Sequence, residues 1–310
     1  MLHRLKTGWK KARFAQLTRG ILDTPPIPVK DACWSIISMV GNADAQMYLL
    51  SMKSFYSRLG GGKLVAIIDR DHPSELTALL ETHFPGIRFV ILEDIDVGRC
   101  QRGGTWERLV YLLDCAETEY AIQVDCDTLS FGTDVEEVRR CAEQNIAFTL
   151  GNRGRPIETM ASISKDARSA RSSYIGIAAE RLFDRYPDAE NTRYVRGSSG
   201  FAGFSRGGFP RRQIERFHEI MEGLVGERWT EWGTEQCGSN FAVANSPGAI
   251  VLPFPKYGNF WPGTDRDNSA FLHFFGTHRF DDDFFADRSV DVINTLMHAN
   301  GSLASTQAAE

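Results

Sequence analysis

Between Ala32 and Val124 the chain runs through four short apolar stretches separated by three helical periods, and this alternation limits the possible fold more than any other feature. The apolar stretches are 32–40, 63–69, 87–92 and the run that ends at Val124, and they are too short and too continuous to be anything but buried strands. Helical periods lie between them at about 45–59, 75–84 and 105–117. Strands and helices at this spacing form βαβ units, whose right-handed crossovers demand a largely parallel sheet with helices on its faces. The expected class is therefore α/β, with a Rossmann-like, mostly parallel mixed sheet in a single domain.

With 310 residues, 42% of them hydrophobic, the chain can fill one large core. The expected divisions are a basic segment and Pro-rich link over 1–30, a body over 31–285 made of halves 31–150 and 151–285, and a C-terminal helix and tail over 286–310. A net charge of -5 gives no reason to expect a nucleic-acid partner. Charge is uneven, however: residues 1–20 carry Arg4, Lys6, Lys10, Lys11, Arg13 and Arg19 and no acid, interspersed with Leu5, Trp9 and Phe14. Such a segment is either a solvated helix packed on the body or a basic amphipathic helix lying on an anionic membrane. It lacks the apolar centre of a signal peptide, and no run of about 18 apolar residues exists, so the expected location is cytoplasmic, with the inner membrane face within reach of residues 1–20. The 6 cysteines are scattered without a Cys-x-x-Cys pair, which argues against a zinc site or a disulfide framework.

No Gly-x-Gly-x-x-Gly turn follows the first strand, which disfavours a dinucleotide dehydrogenase. Gly60-Gly61-Gly62-Lys63 follows a helix and precedes a strand, so it reads as a helix C-cap and turn rather than a phosphate loop. Chemistry is concentrated where the fourth strand ends, at Asp125-Cys126-Asp127-Thr128. Residues i and i+2 of a strand point the same way, so Asp125 and Asp127 can direct two carboxylates at one spot beyond the sheet. Two hard oxygen donors there suit Mn²⁺ or Mg²⁺, with substrate phosphates completing the shell. The same pair also suits a turn or a helix cap.

Beyond Thr133 a helix to about Gln144 and a strand over 146–150 are expected, followed by a long irregular stretch, 151–197, that holds Arg153, Arg155, Lys165, Arg168 and Arg171. It contains one helix near 178–186 and reads equally as a binding loop or a solvated insertion. The Gly-rich stretch from Gly197 to Ser205 would let backbone approach a ligand closely. A helix over 211–224, a second one opening within 229–240, a short strand over 250–253 and a final helix over 284–298, capped by Asp281-Asp282-Asp283, complete the reading.

With these pieces in order, the sequence resembles the GT-A nucleotide-diphosphosugar transferases, and within them the glycogenin and lipopolysaccharide-galactosyltransferase group, family 8. Asp125-Cys126-Asp127-Thr128 is similar to the group's Asp-x-Asp-Thr motif, and Arg108 stands in the place of a donor-contacting arginine. Ser198-Ser199-Gly200 is similar to its Asn-Ser/Ala-Gly turn, with serine for asparagine. Glu235-Gln236 stands where the family has Asp-Gln, and the run from His273 to Arg279 is similar to His-x-x-Gly-x-x-Lys, with Arg279 for lysine.

The resemblance implies a metal held by Asp125, Asp127 and His273, and a donor bound by Arg108, Ser199, Gly200, Gly276 and Arg279. It places Glu235 and Gln236 at the reacting sugar, and assigns 31–150 to the nucleotide and 151–285 to the acceptor. The implied activity is metal-dependent transfer of a sugar from a nucleoside-diphosphate sugar, a UDP-sugar by the family pattern, to a glycan or lipid-linked acceptor. Two alternatives stay open: a Mg²⁺-dependent phosphatase of the haloacid-dehalogenase type, with Asp125 as nucleophile and the acidic run 281–283 helping to hold the metal, or a sugar-nucleotide-binding protein without catalysis.

Overall fold

A computed structural model describes residues 2–280 and 282–307. In chain order the elements are α1 (Leu2–Leu17), β1 (Trp34–Met39), α2 (Ala45–Leu59), β2 (Lys63–Ile68), α3 (Ser74–His83), β3 (Arg88–Ile91), α4 (Trp106–Ala116), β4 (Tyr120–Val124) and β5 (Thr128–Ser130). The middle holds α5 (Glu136–Glu143), β6 (Phe148–Gly151), β7 (Glu158–Thr159), α6 (Met160–Ala167), α7 (Ile175–Glu180), β8 (Arg193–Tyr194) and β9 (Gly197–Phe204). The chain continues through α8 (Arg211–Val225), α9 (Thr234–Ala244), β10 (Ile250–Val251), β11 (Tyr257–Asn259), β12 (Phe271–His273) and α10 (Phe284–Gln307).

The expected mixed sheet is present. Seven strands lie in the order β10-β6-β9-β4-β1-β2-β3, and β9 alone runs against its neighbours. Alternate side chains of the central strands feed two cores. Ile36, Leu64, Ile122 and Phe201 pack with α2, α3 and α10, whereas Ile37, Val65, Ala121 and Ala202 pack with α4, α8 and α9. Burial on both faces explains why these strands read as continuous apolar runs.

The first half follows the sequence reading closely, including Gly60, whose left-handed φ of 93° ends α2. The second half departs from it in two places. Gly197–Phe204 is a full strand at the centre of the sheet, and its Ser199 and Gly200 border the cleft described below. Its glycines serve packing: a Cβ at Gly203 would collide with the ring of Phe148. The stretch 151–197 is also more regular than expected, holding β7 and β8 paired with each other and the helices α6 and α7, the latter beginning at Ile175. Its basic residues are partly spent on ion pairs, Arg155 with Asp166 and Arg168 with Asp184.

The N-terminal helix packs on the body. Phe14 is buried, stacked on Phe285 at 4.5 Å between ring centroids and tilted against Phe280 at 5.2 Å. After it, the Pro-rich link is tied down by the buried Lys53, whose ammonium donates to Thr24 Oγ1 at 2.8 Å and the Pro25 carbonyl at 2.6 Å. All six cysteines are free. Among the described residues no helix is long and apolar enough to cross a membrane.

Candidate metal and diphosphate site

Three separate strands meet at the carboxyl end of β4. The Asp125 amide donates to the Gly200 carbonyl at 2.8 Å, which continues the β4–β9 ladder past Val124. The chain then turns, with the Asp125 carbonyl accepting from Ser51 Oγ and Thr128 Oγ1, both at 2.9 Å. It re-emerges as β5, which pairs antiparallel with β12 so that His273 stands opposite Thr128. One further backbone bond, Phe274 N to the Asp127 carbonyl at 2.7 Å, closes the junction. Pairing of short strands therefore brings an imidazole from near the C-terminal end of the body onto the two aspartates.

The result is a convergent donor set. One ligand atom from each of Asp125, Asp127 and His273 lies within 4.8 Å of the others. His273 Nε2 is 3.1 Å from Asp127 Oδ1 and 4.0 Å from Asp125 Oδ2. Behind it, His273 Nδ1 is 3.2 Å from Asn259 Oδ1 and 2.9 Å from Ser198 Oγ. Because an amide oxygen only accepts, the proton sits on Nδ1. That leaves the Nε2 lone pair facing two carboxylates, an arrangement that a cation or a second proton must neutralise. A ring nitrogen oriented by a hydrogen bond on its other side is the usual device of a metal-binding histidine. The residues thus fit a divalent cation of the Mn²⁺ or Mg²⁺ type, with imidazole favouring the former.

Two arginines frame the acids. Arg279, in the turn Gly276–Phe280, pairs with Asp127 and donates through Nε to the Phe274 carbonyl at 2.8 Å. Arg108, buried on α4, pairs with Asp125 on one side and reaches Glu235 Oε2 at 3.5 Å on the other. Burial pushes the Asp125 carboxyl up, with Arg108 opposing. Burial pushes Asp127 up as well, but His273 and Arg279 outweigh it and hold Asp127 below the usual carboxylate range. For His273 burial acts downward and is outweighed by Asp127 and Asp125, so the ring is raised above the ordinary imidazole value.

Glu235 occupies the first turn of α9, which Gly233 enters at a left-handed φ of 105°. Burial raises its carboxyl, against the pull of Arg108. Thr105 Oγ1 donates to Oε2 at 3.3 Å, while the buried Oε1 accepts no hydrogen bond among the described residues. Oε1 has almost no exposed surface, so it meets a ligand only when the side chain turns toward the cleft.

These groups line one cleft of about 250 Å³, and every site residue singled out from the sequence borders it: Arg108, Asp125, Asp127, Ser199, Gly200, Glu235, Gln236, His273, Gly276 and Arg279. The acidic run does not join them. Asp282 accepts from the Phe284 amide at 3.0 Å and pairs with Arg266, and Asp283 pairs with Arg13. Asp281 lies outside the described residues. Of the stretch 151–197, placed on the acceptor side from sequence, Tyr174 alone among the described residues lines the cleft.

Sequence reasoning missed Asn259, Thr105 and the roles of Ser198 and Tyr174. Asn259 had no signal: it reaches His273 only through the β11–β12 register.

No family model matches the chain, and no curated protein matches it at a significant level. Solved structures do. The apo structure of the bifunctional glycosyltransferase WbbM aligns with a TM-score of 0.54 and 14% identity, over 86% of this chain and 50% of that one. The apo glycosyltransferase GlyE of Streptococcus pneumoniae TIGR4 aligns with a TM-score of 0.50 and 12% identity, over 87% of this chain and 63% of that one. The chain therefore spans half the length of the WbbM structure. At these identities the likeness establishes the fold, which is the GT-A arrangement of glycosyltransferases.

Proposed function

We propose that the chain is a metal-dependent glycosyltransferase that takes a sugar from a nucleoside-diphosphate sugar, with a UDP-sugar as donor, and places it on a hydroxyl of a glycan or lipid-linked acceptor. The observation that carries this reading is the convergence of Asp125, Asp127 and His273 within 4.8 Å, beside Arg279, in a GT-A fold. Placement within family 8 is supported by the order of the four motifs and belongs to the same proposal.

In such a transfer the bond from the sugar C1 to the diphosphate oxygen breaks, a bond from C1 to the acceptor oxygen forms, and the acceptor proton leaves with the diphosphate. A bound Mn²⁺ or Mg²⁺ neutralises charge on the departing diphosphate. In this reading Asp125, Asp127 and the unprotonated His273 Nε2 hold that ion, and Arg279 turns from Asp127 to a phosphate oxygen. Ser199, Gly200 and Gly276 present backbone to the donor.

Arg108 contacts the donor and bridges Asp125 and Glu235, opposing the upward push that burial exerts on both carboxyls. Glu235 offers Oε1 to the sugar, stabilising positive charge at C1 or orienting a hydroxyl, with Gln236 beside it. Retention of anomeric configuration follows from the family pattern; inversion would make Glu235 the general base.

The phosphatase reading is weakened because Asp125 is held by Arg108 and the acids 282 and 283 are engaged elsewhere. Thermal shifts with UDP, GDP and ADP, with and without Mn²⁺, test the proposal. The expected result is a Mn²⁺-dependent preference for UDP that Asp127→Ala removes. Turnover of p-nitrophenyl phosphate with no nucleotide binding would overturn it. Binding of UDP-sugars without hydrolysis or transfer in a broad acceptor screen would instead identify a non-catalytic binder.

A further inference from the structure

Seven large apolar side chains are exposed among the described residues, and four of them share one region. Trp9 is 66% exposed, Leu17 44%, Leu22 39% and Met297 45%. They lie on α1, the turn Arg19–Asp23 and α10, which pack on one another. Exposed apolar side chains gathered on adjoining elements mark an interaction surface more reliably than scattered singles do.

The inward side of α1 is already satisfied. Phe14 is buried against Phe285, and Gln46 Nε2 donates to the Ala15 carbonyl at 2.8 Å and to Thr18 Oγ1 at 2.7 Å. On the exposed flank Trp9, Arg13 and Leu17 follow one another at i, i+4 and i+8, forming a single ridge. The Arg13 guanidinium lies 6.0 Å from the Trp9 ring centroid. The helix carries Arg4, Lys6, Lys10, Lys11 and Arg13 with no acid in its sequence. Lys11 and Arg13 are paired with Asp44 and Asp283, and Arg19 makes no ion pair among the described residues.

We propose that this face docks on an anionic phospholipid bilayer, with Trp9 and Leu17 at the level of the acyl boundary and the exposed Lys11, Arg13 and Arg19 against the headgroups. An exposed ridge of tryptophan and leucine on a helix without acids suits a fluid, negatively charged surface, where both amphipathic burial and headgroup attraction act together. Docking this way also sets α1 between the bilayer and one wall of the cleft. α1 rests on the turn Gly276–Phe280 that carries Arg279, and Lys11 reaches Asp44 at the cleft wall at 3.2 Å. A consequence, which alone rests on the glycosyltransferase reading, is that the acceptor is presented on a lipid.

The test is co-sedimentation of the full chain with vesicles of phosphatidylcholine alone and of phosphatidylcholine with phosphatidylglycerol, at low and high salt. The expected result is binding to the phosphatidylglycerol vesicles only, weakened by salt, and reduced about ten-fold or more by Trp9→Ala with Leu17→Ser and Met297→Ser. These positions are exposed, so circular dichroism should show the triple variant folded. Absence of binding to the anionic vesicles overturns the proposal, as does binding unaffected by the triple variant. Self-association of the chain through this face, detected by sedimentation velocity and lost in the variant, in place of vesicle binding also overturns it. Asp127→Ala should bind vesicles like the wild type, which separates this surface from the cleft.

Discussion

The His273 imidazole occupies the space that a side chain at Gly200 would need: a Cβ built there would lie 2.6 Å from Nε2. Glycine at this point of β9 is thus a condition for the ring to reach the aspartates. Gly200→Ala should displace His273, cost about 1–3 kcal/mol of stability, and abolish Mn²⁺ binding as fully as His273→Ala does. Calorimetric titration with Mn²⁺ together with urea denaturation checks both effects; unchanged Mn²⁺ affinity would refute the argument.

Arg108 stands between the half-buried Asp125 and the buried Glu235. Removing it leaves the buried Glu235 without its cation, so Arg108→Met should destabilise the fold by about 3–5 kcal/mol. Arg108→Lys should recover only part of this, because one ammonium cannot serve two carboxylates in the geometry of a planar fork. Denaturant midpoints of the two variants against wild type decide the matter.

Asn259 Oδ1 at 3.2 Å holds the His273 Nδ1 proton together with Ser198 Oγ at 2.9 Å. Asn259→Ala should weaken Mn²⁺ affinity about 10–100-fold while leaving the melting temperature of the metal-free protein nearly unchanged. A loss confined to stability would show that the contact is merely structural.

If the cleft binds a divalent ion only in the folded state, Mn²⁺ at a hundred times its Kd should add about 2.7 kcal/mol of stability. Chelation should remove that increment, and Asp127→Asn should never show it. Melting curves with Mn²⁺ and with EDTA provide the measurement.

His83 closes α3 in a buried position where desolvation, and then the Lys53 ammonium, lower its pKa from 6.5 to about 4. Its folded value is below its unfolded value, so the neutral ring's contribution is complete above pH 6.5 and disappears as the pH falls through about 4. The span corresponds to at most about 3 kcal/mol. Wild type should lose stability over that window more steeply than His83→Gln, and parallel curves for the two would contradict the assignment.

Much of the first half was legible because β1, β2 and β4 are buried on both faces and therefore appear as unbroken apolar runs. β9 was not, since Gly197, Ser198, Ser199 and Gly200 carry none of the branched or aromatic residues that betray a strand, and its place is decided by the rings packed against it. The helices of 151–197 were obscured by their shortness and small polar residues. At the site, the Asp125 and Asp127 pair could be read from strand periodicity alone. His273 could be read only by resemblance, because a three-residue strand gives no periodic signal. Asn259 depends wholly on register and left no trace.

The pairing of β12 with β5 also has a consequence for how the protein is made. During synthesis both aspartates leave the ribosome with the first half of the chain, whereas the histidine, and the β11 strand that orients it, follow only when most of the body has been translated. A nascent chain halted before residue 257 would carry the two carboxylates with Arg108 beside them but without His273 or Arg279, so the three-donor set is complete only once nearly the whole body has been made.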